Sequence, residues 1–160
     1  MKTEKPPLIP LAQFFDDIRV ETNGKAILIG QYASYMLLSP GMMPVDRLAV
    51  LLTVRWPRDY IPREMGMKID VPGQPPLVYP LPAPSPPDFT NKPPSPFSGV
   101  MMQAVLQLRF APLRIGDTID VWFQADGHDF PAGRLLIVDQ SISHGIGPMD
   151  VPTAPIAVGM

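Results

Sequence analysis

The sequence predicts an all-β protein, a single β-sandwich of about seven or eight mostly antiparallel strands in the C2-like or immunoglobulin-like manner. Three observations lead there. The 160 residues include 23 prolines, which lack an amide donor and keep helices and central strands away from the places they occupy. The segments that proline spares alternate apolar and polar residues with period two. No segment carries the stripe of an amphipathic helix, and strands at such short spacing favour a sandwich over a barrel.

Taken in order, Ala12, Phe14, Ile18 and Val20 alternate with Gln13, Asp17, Arg19 and Glu21, which defines a first strand. Asn23-Gly24 is a hairpin signal, because both residues tolerate the positive φ of a type I′ turn. Lys25 to Ala33 is the returning strand. Its centre, Ala26-Ile27-Leu28-Ile29-Gly30, is apolar on both faces, as in a strand inside a sheet or at a seam between layers. After a turn at Ser39-Pro40-Gly41, Arg47 to Trp56 reads as a third strand with Leu48, Val50, Leu52, Val54 and Trp56 on one side. A short helix is allowed near Tyr35 or Asp46. Arg63 to Val71 alternates again, with Met65, Met67, Ile69 and Val71 on one face.

A proline-rich insert over residues 72–97 follows, with 11 prolines between Pro72 and Pro96. It has room for one short edge strand around Leu77-Val78-Tyr79, the rest being turns and polyproline II. Val100, Met102, Ala104, Leu106, Leu108 and Phe110 then mark a long strand, and Thr118 to Ala125 and Phe130 to Asp139 are joined by a second hairpin signal, Asp126-Gly127. The domain therefore spans residues 11–140. Residues 1–10, interrupted by Pro6, Pro7 and Pro10, read as a flexible arm, and the Gly-, Pro- and Ser-rich residues 141–160 as an extended or mobile tail.

Composition narrows the function. With no cysteine there is no disulfide, thiolate metal site or cysteine nucleophile, and a cytoplasmic home is compatible, or a virion if the protein is phage-derived. The 13 basic and 15 acidic residues form no long runs, so neither nucleic acid nor anionic lipid is favoured as a partner. No apolar run is long enough for a membrane span.

The chain offers little catalytic chemistry. His128 lies in a turn between Asp126 and Asp129 with no second histidine at ligand spacing, so a solvated hairpin tip outweighs a metal ligand or a general base. No serine sits in a nucleophile elbow, and no glycine pattern cradles phosphates. The aspartates are scattered, although a C2-like calcium module would need Asp16, Asp17 and Asp117 to converge at one end. Asp16 shares a strand face with Phe14 and Ile18. A carboxylate there calls for a bulge or for a hydrogen bond at the strand end. Trp122 stands on the polar face of its strand, between Asp120 and Gln124, where it either anchors an interface or is covered by a second layer. Within the insert, Leu77, Tyr79, Leu81 and Phe89 pack on the sandwich or on a neighbour.

Phe14-x-Asp16, Asn23-Gly24-Lys25 leading to Ile29-Gly30-x-Tyr32, and Phe130-x-x-Gly133-x-Leu135-x-x-Val138 give the chain a resemblance over residues 11–140. It resembles an uncharacterised bacterial family of small β-sandwich domains. The resemblance implies the fold and no assigned activity. The expectation is a non-catalytic module without cofactor or metal, working through a protein partner or self-association in a bacterial or phage-derived assembly. Its candidate contact residues are Trp122, Leu77, Tyr79, Leu81 and Phe89, and the alternative is a C2-like ligand- or calcium-binding module.

Overall fold

The computed structural model describes residues 8–23, 25–39, 47–57, 60–82, 99–109 and 113–141. Two sheets form a sandwich. The first is built around β4 (Arg47–Pro57), which pairs antiparallel with β1 (Ile9–Val20) on one side and β7 (Gly99–Arg109) on the other; β2 (Ala26–Tyr32) adds to the far edge of β1. The second runs in the order β3 (Tyr35–Leu38), β9 (His128–Asp139), β8 (Thr118–Ala125), β5 (Met65–Asp70) and β6 (Leu77–Leu81). Every pairing is antiparallel except β3 with β9. Among the described residues no helix is long and apolar enough to cross a membrane.

The all-β sandwich follows the sequence closely, with three differences. Tyr35–Leu38, where a short helix was allowed, is a strand, held parallel to Leu136–Asp139 and extended by the Leu136 amide donating to the Ser34 carbonyl at 3.0 Å. Four consecutive apolar residues carry no period of their own, and the open edge of β9 decides their conformation. Asp46 lies outside the described residues. The second difference is β2, whose two apolar faces read as an internal strand and which sits instead at the edge of its sheet, exposed along nearly its whole length. The third is β1, which begins at Ile9, so Ile9 and Pro10 pair with Arg55 and Val54.

The edge strand expected inside the proline-rich insert is β6, and Pro80 is tolerated there because its missing amide faces no partner strand. Pro131 lies in the interior strand β9, at the irregularity between Val121 and Trp122, where Ala132 is the extra residue and the ladder is already broken. The β8–β9 hairpin turns through Asp126 and Gly127, with φ of 47° and 80°, the positive pair that a type I′ turn demands.

Leu48, Val50, Leu52 and Val54 of β4 face Ile119, Val121, Phe123, Leu135 and Ile137 of the second sheet in one continuous buried core. A smaller cluster of Phe15, Ile18, Ala49 and Leu51 stands apart from it. Alternation along β1 and β4 sends Phe15, Ala49 and Leu51 to the opposite face of the first sheet from Phe14, Val50 and Leu52. The sheets approach closely at Gly133, where an added Cβ would lie 3.0 Å from the Ala12 carbonyl oxygen and 3.1 Å from the Ala12 Cβ. Only a residue without a side chain lets the two layers meet there. Gly133→Ala should therefore lower unfolding free energy by about 1–3 kcal/mol through overpacking against backbone, measured by urea denaturation with an unchanged m-value.

Candidate functional site

The contact residues expected from sequence fall on two separate surfaces. Leu77, Tyr79 and Leu81 project from β6 toward the core and pack on its margin, half-buried. Trp122 lies on the opposite face of the same sheet, level with Lys68 of β5 and Pro131 of β9. The Lys68 ammonium sits 5.5 Å from the Trp122 ring centroid and is itself shared with Asp70 at 3.4 Å and Asp129 at 3.6 Å. Beside it, Arg134 pairs with Asp120 at 2.6 Å. The indole N–H is buried without a hydrogen-bond partner, an arrangement that costs about 1–3 kcal/mol. Phe89 lies outside the described residues.

The carboxylates do not converge as a calcium module would require. Asp117 accepts from the Arg114 amide at 2.7 Å, closing its own turn. Asp17 accepts from Arg19 Nε at 3.0 Å and from Gln107 Nε2 at 3.2 Å. Asp16 accepts from the Tyr32 hydroxyl. Among the described residues no three His, Cys, Asp or Glu side chains gather as a metal site.

Asp16 explains part of the sequence pattern. The β1–β2 register is the same on either side of this point, Phe15↔Gln31 and Asp17↔Ile29, which sets Asp16 across from Gly30. A Cβ on Gly30 would lie 1.8 Å from Asp16 Oδ2, and Gly30 has a φ of +63°. Glycine thus makes room for the carboxylate, and Tyr32, one turn of the pleat away, supplies its hydrogen bond. Burial first, then the bond to Asp16 and its charge, raise the Tyr32 pKa above that of an ordinary phenol. The carboxylate on an apolar face is satisfied by a hydrogen-bonding partner, Tyr32.

His128 and Asp126 also make contacts within the fold. His128 meets Phe130 edge-on, with centroids 6.5 Å apart. Asp126 Oδ1 accepts from the amides of Arg63 at 2.9 Å and Glu64 at 3.1 Å, and Oδ2 accepts from the Tyr60 hydroxyl at 2.7 Å. The hairpin tip is stapled to the segment leading into β5. Desolvation works against the ionised Asp126, but the bonds from Tyr60, Glu64 and Arg63 and the Arg63 charge outweigh it, holding its pKa below the usual carboxylate value. Tyr60 is pushed up to about 12 by burial and by Asp126.

Two other surfaces have features that packing alone does not use. Along β2, Ile27 and Leu28 are each 45% exposed and Ile29 is 37% exposed, at a sheet edge with no charged side chain and no proline. At the same end of the sheet, β1–β4 pairing stops at Phe15↔Ala49, whereas β1–β2 continues to Val20↔Ala26 and β4–β7 to Arg47↔Arg109. The sheet forks there. A cleft of about 670 Å³ occupies the fork, with Asp16, Asp17, Arg19 and Ile29 on one prong and Arg47, Gln107 and Arg109 on the other. Tyr79 from the second sheet also lines it. Gln107 spans the gap, donating to Asp17 and, at 3.3 Å, to the Ile18 carbonyl left unpaired by the separation. The sequence signal for the fork was the arginine pair at the ends of two long strands, legible only once register placed them opposite each other.

No protein-family model matches the chain, and no curated protein matches it.

Gly30→Ala is expected to destabilise the fold by about 1–3 kcal/mol, from backbone strain and the clash with Asp16; in an Asp16→Ala background the penalty shrinks toward the strain alone, which a double-mutant cycle resolves. The Asp126 staple makes stability depend on pH with a defined sign. Because the folded pKa lies below the unfolded one, the contribution is complete above about pH 4 and is lost as pH falls through the folded value. Melting temperature against pH should accordingly have a shallower acid limb in Asp126→Asn than in the wild type.

Proposed function

We propose that this protein is a non-catalytic interaction module that binds another protein chain by strand addition along β2, as a subunit of a bacterial or virion assembly would. The observation that carries the reading is the edge itself. β2 offers unpaired backbone groups over Ala26 to Ile29, flanked on both faces by exposed isoleucine and leucine. Sheet edges are normally blunted by charge, proline or short length. Two of the other three edges fit that rule better, since β6 contains Pro80 and β3 has 4 residues; on β7, the third, the exposed apolar residues Met101 and Val105 are spaced apart by polar Gln103 and are not consecutive as Ile27, Leu28 and Ile29 are.

An edge of this kind gains main-chain hydrogen bonds from an added strand and specificity from alternate side chains. A second copy suits it, because an antiparallel mate centred on Leu28 sets Ile27 against Ile29 with no like charges opposed. The engagement of Asp16, Asp17, Asp117 and Asp126 in internal hydrogen bonds supports a contact role over a catalytic or calcium-dependent one.

Leu28→Lys should leave the melting temperature within a few degrees of wild type, since the side chain is exposed, while abolishing association. Sedimentation velocity across a concentration series, together with capture of partners from the native host, measures this. A wild-type chain that is monomeric throughout, with the same proteins captured by both forms, would overturn the proposal.

A further inference from the structure

The fork carries an inference independent of β2. Arg47 and Arg109 are Cα partners on neighbouring antiparallel strands, and both line the cleft, so two positive charges are opposed across the β4–β7 pair there. Like charges directly opposed in a sheet are destabilising. Among the described residues neither makes an ion pair, whereas the third arginine of the cleft, Arg19, is held by Asp17. The carboxylates nearby are also occupied, Asp17 by Arg19 and Gln107 and Asp16 by Tyr32, and both belong to the opposite prong.

We propose that the cleft is a binding site for a phosphate monoester, whose dianionic head is clamped by Arg47 and Arg109. Guanidinium groups match phosphate oxygens in bidentate fashion, and two of them balance a dianion where a single carboxylate would leave one charge over. The volume exceeds what inorganic phosphate fills and lies in the range of small-molecule sites. Ile29 and Tyr79 give the organic part of the ester an apolar wall. Binding would relieve the opposed charges, so the ligand should stabilise the fold as it saturates.

The test is isothermal titration of the full chain with two probes, inorganic phosphate and glycerol 3-phosphate. The expected result is saturable binding of one equivalent, tighter for the ester, and at least about tenfold weaker in both Arg47→Gln and Arg109→Gln, the loss of a charge-assisted hydrogen bond. Without ligand, Arg47→Gln should melt no lower than wild type, because it removes a repulsion. Leu28→Lys should bind both probes normally, which separates this site from the β2 edge. The proposal fails if neither probe gives saturable heat, or if both arginine variants bind like wild type. It also fails if chloride at matched ionic strength reproduces the thermal shift, or if ligand-free Arg47→Gln melts several degrees lower.

Discussion

The close approach of the two sheets at Ala12 and Gly133 is the constraint on which the rest of the molecule rests. A bare α-carbon on β9 lets the Ala12 backbone settle against it, beside the core that fills the space between β4 and β8. Side chains of the size of Phe14, Phe123 and Met67 fill this space without leaving polar groups inside. The irregularity at Ala132, one residue away, bends β9 around the same point and admits Pro131. Packing and backbone irregularity therefore serve a single purpose along this stretch.

The first sheet behaves differently at its two ends. Where β1, β4 and β7 run side by side, apolar residues occupy both faces and Phe15, Ala49 and Leu51 are buried on the side away from the main core. Where β1 and β4 part, the apolar rows give way to Asp17, Arg19, Arg47, Gln107 and Arg109. Separation of two strands strips backbone groups of their ladder partners, and Gln107 reaches across to satisfy one of them. Polar side chains collect where the ladder ends because that is where water and unpaired carbonyls require them.

Alternation makes β1, β4, β5, β7 and β8 readable as strands, and the two hairpin signals fall between β1 and β2 and between β8 and β9, which pair antiparallel. Sheet position is not readable in this way. Ile27-Leu28-Ile29 has the composition of a buried strand, and nothing local distinguishes a strand that is covered from one that offers itself to a partner. Tyr35–Leu38 was missed as a strand for the complementary reason, since its conformation is imposed by pairing with a segment far along the chain. Trp122 was placed on the outer face correctly by parity, but its cover by Lys68 depends on a neighbouring strand. The arginine fork was invisible because Arg47 and Arg109 become neighbours only through register, with the whole proline-rich insert between them in sequence.

The parallel pairing of β3 with β9 bears on how the chain is made. Tyr35 leaves the ribosome early and must wait for Leu136 before its strand has a mate, and β4 likewise waits for β7. Any partial sheet of β1, β2 and β4 formed before that point has no second layer over its apolar face. Contacts so distant in sequence slow folding and lengthen the exposure of such intermediates. In such a partial sheet β2 is an edge without charge or proline, which leaves it open to mispairing before the second layer is made.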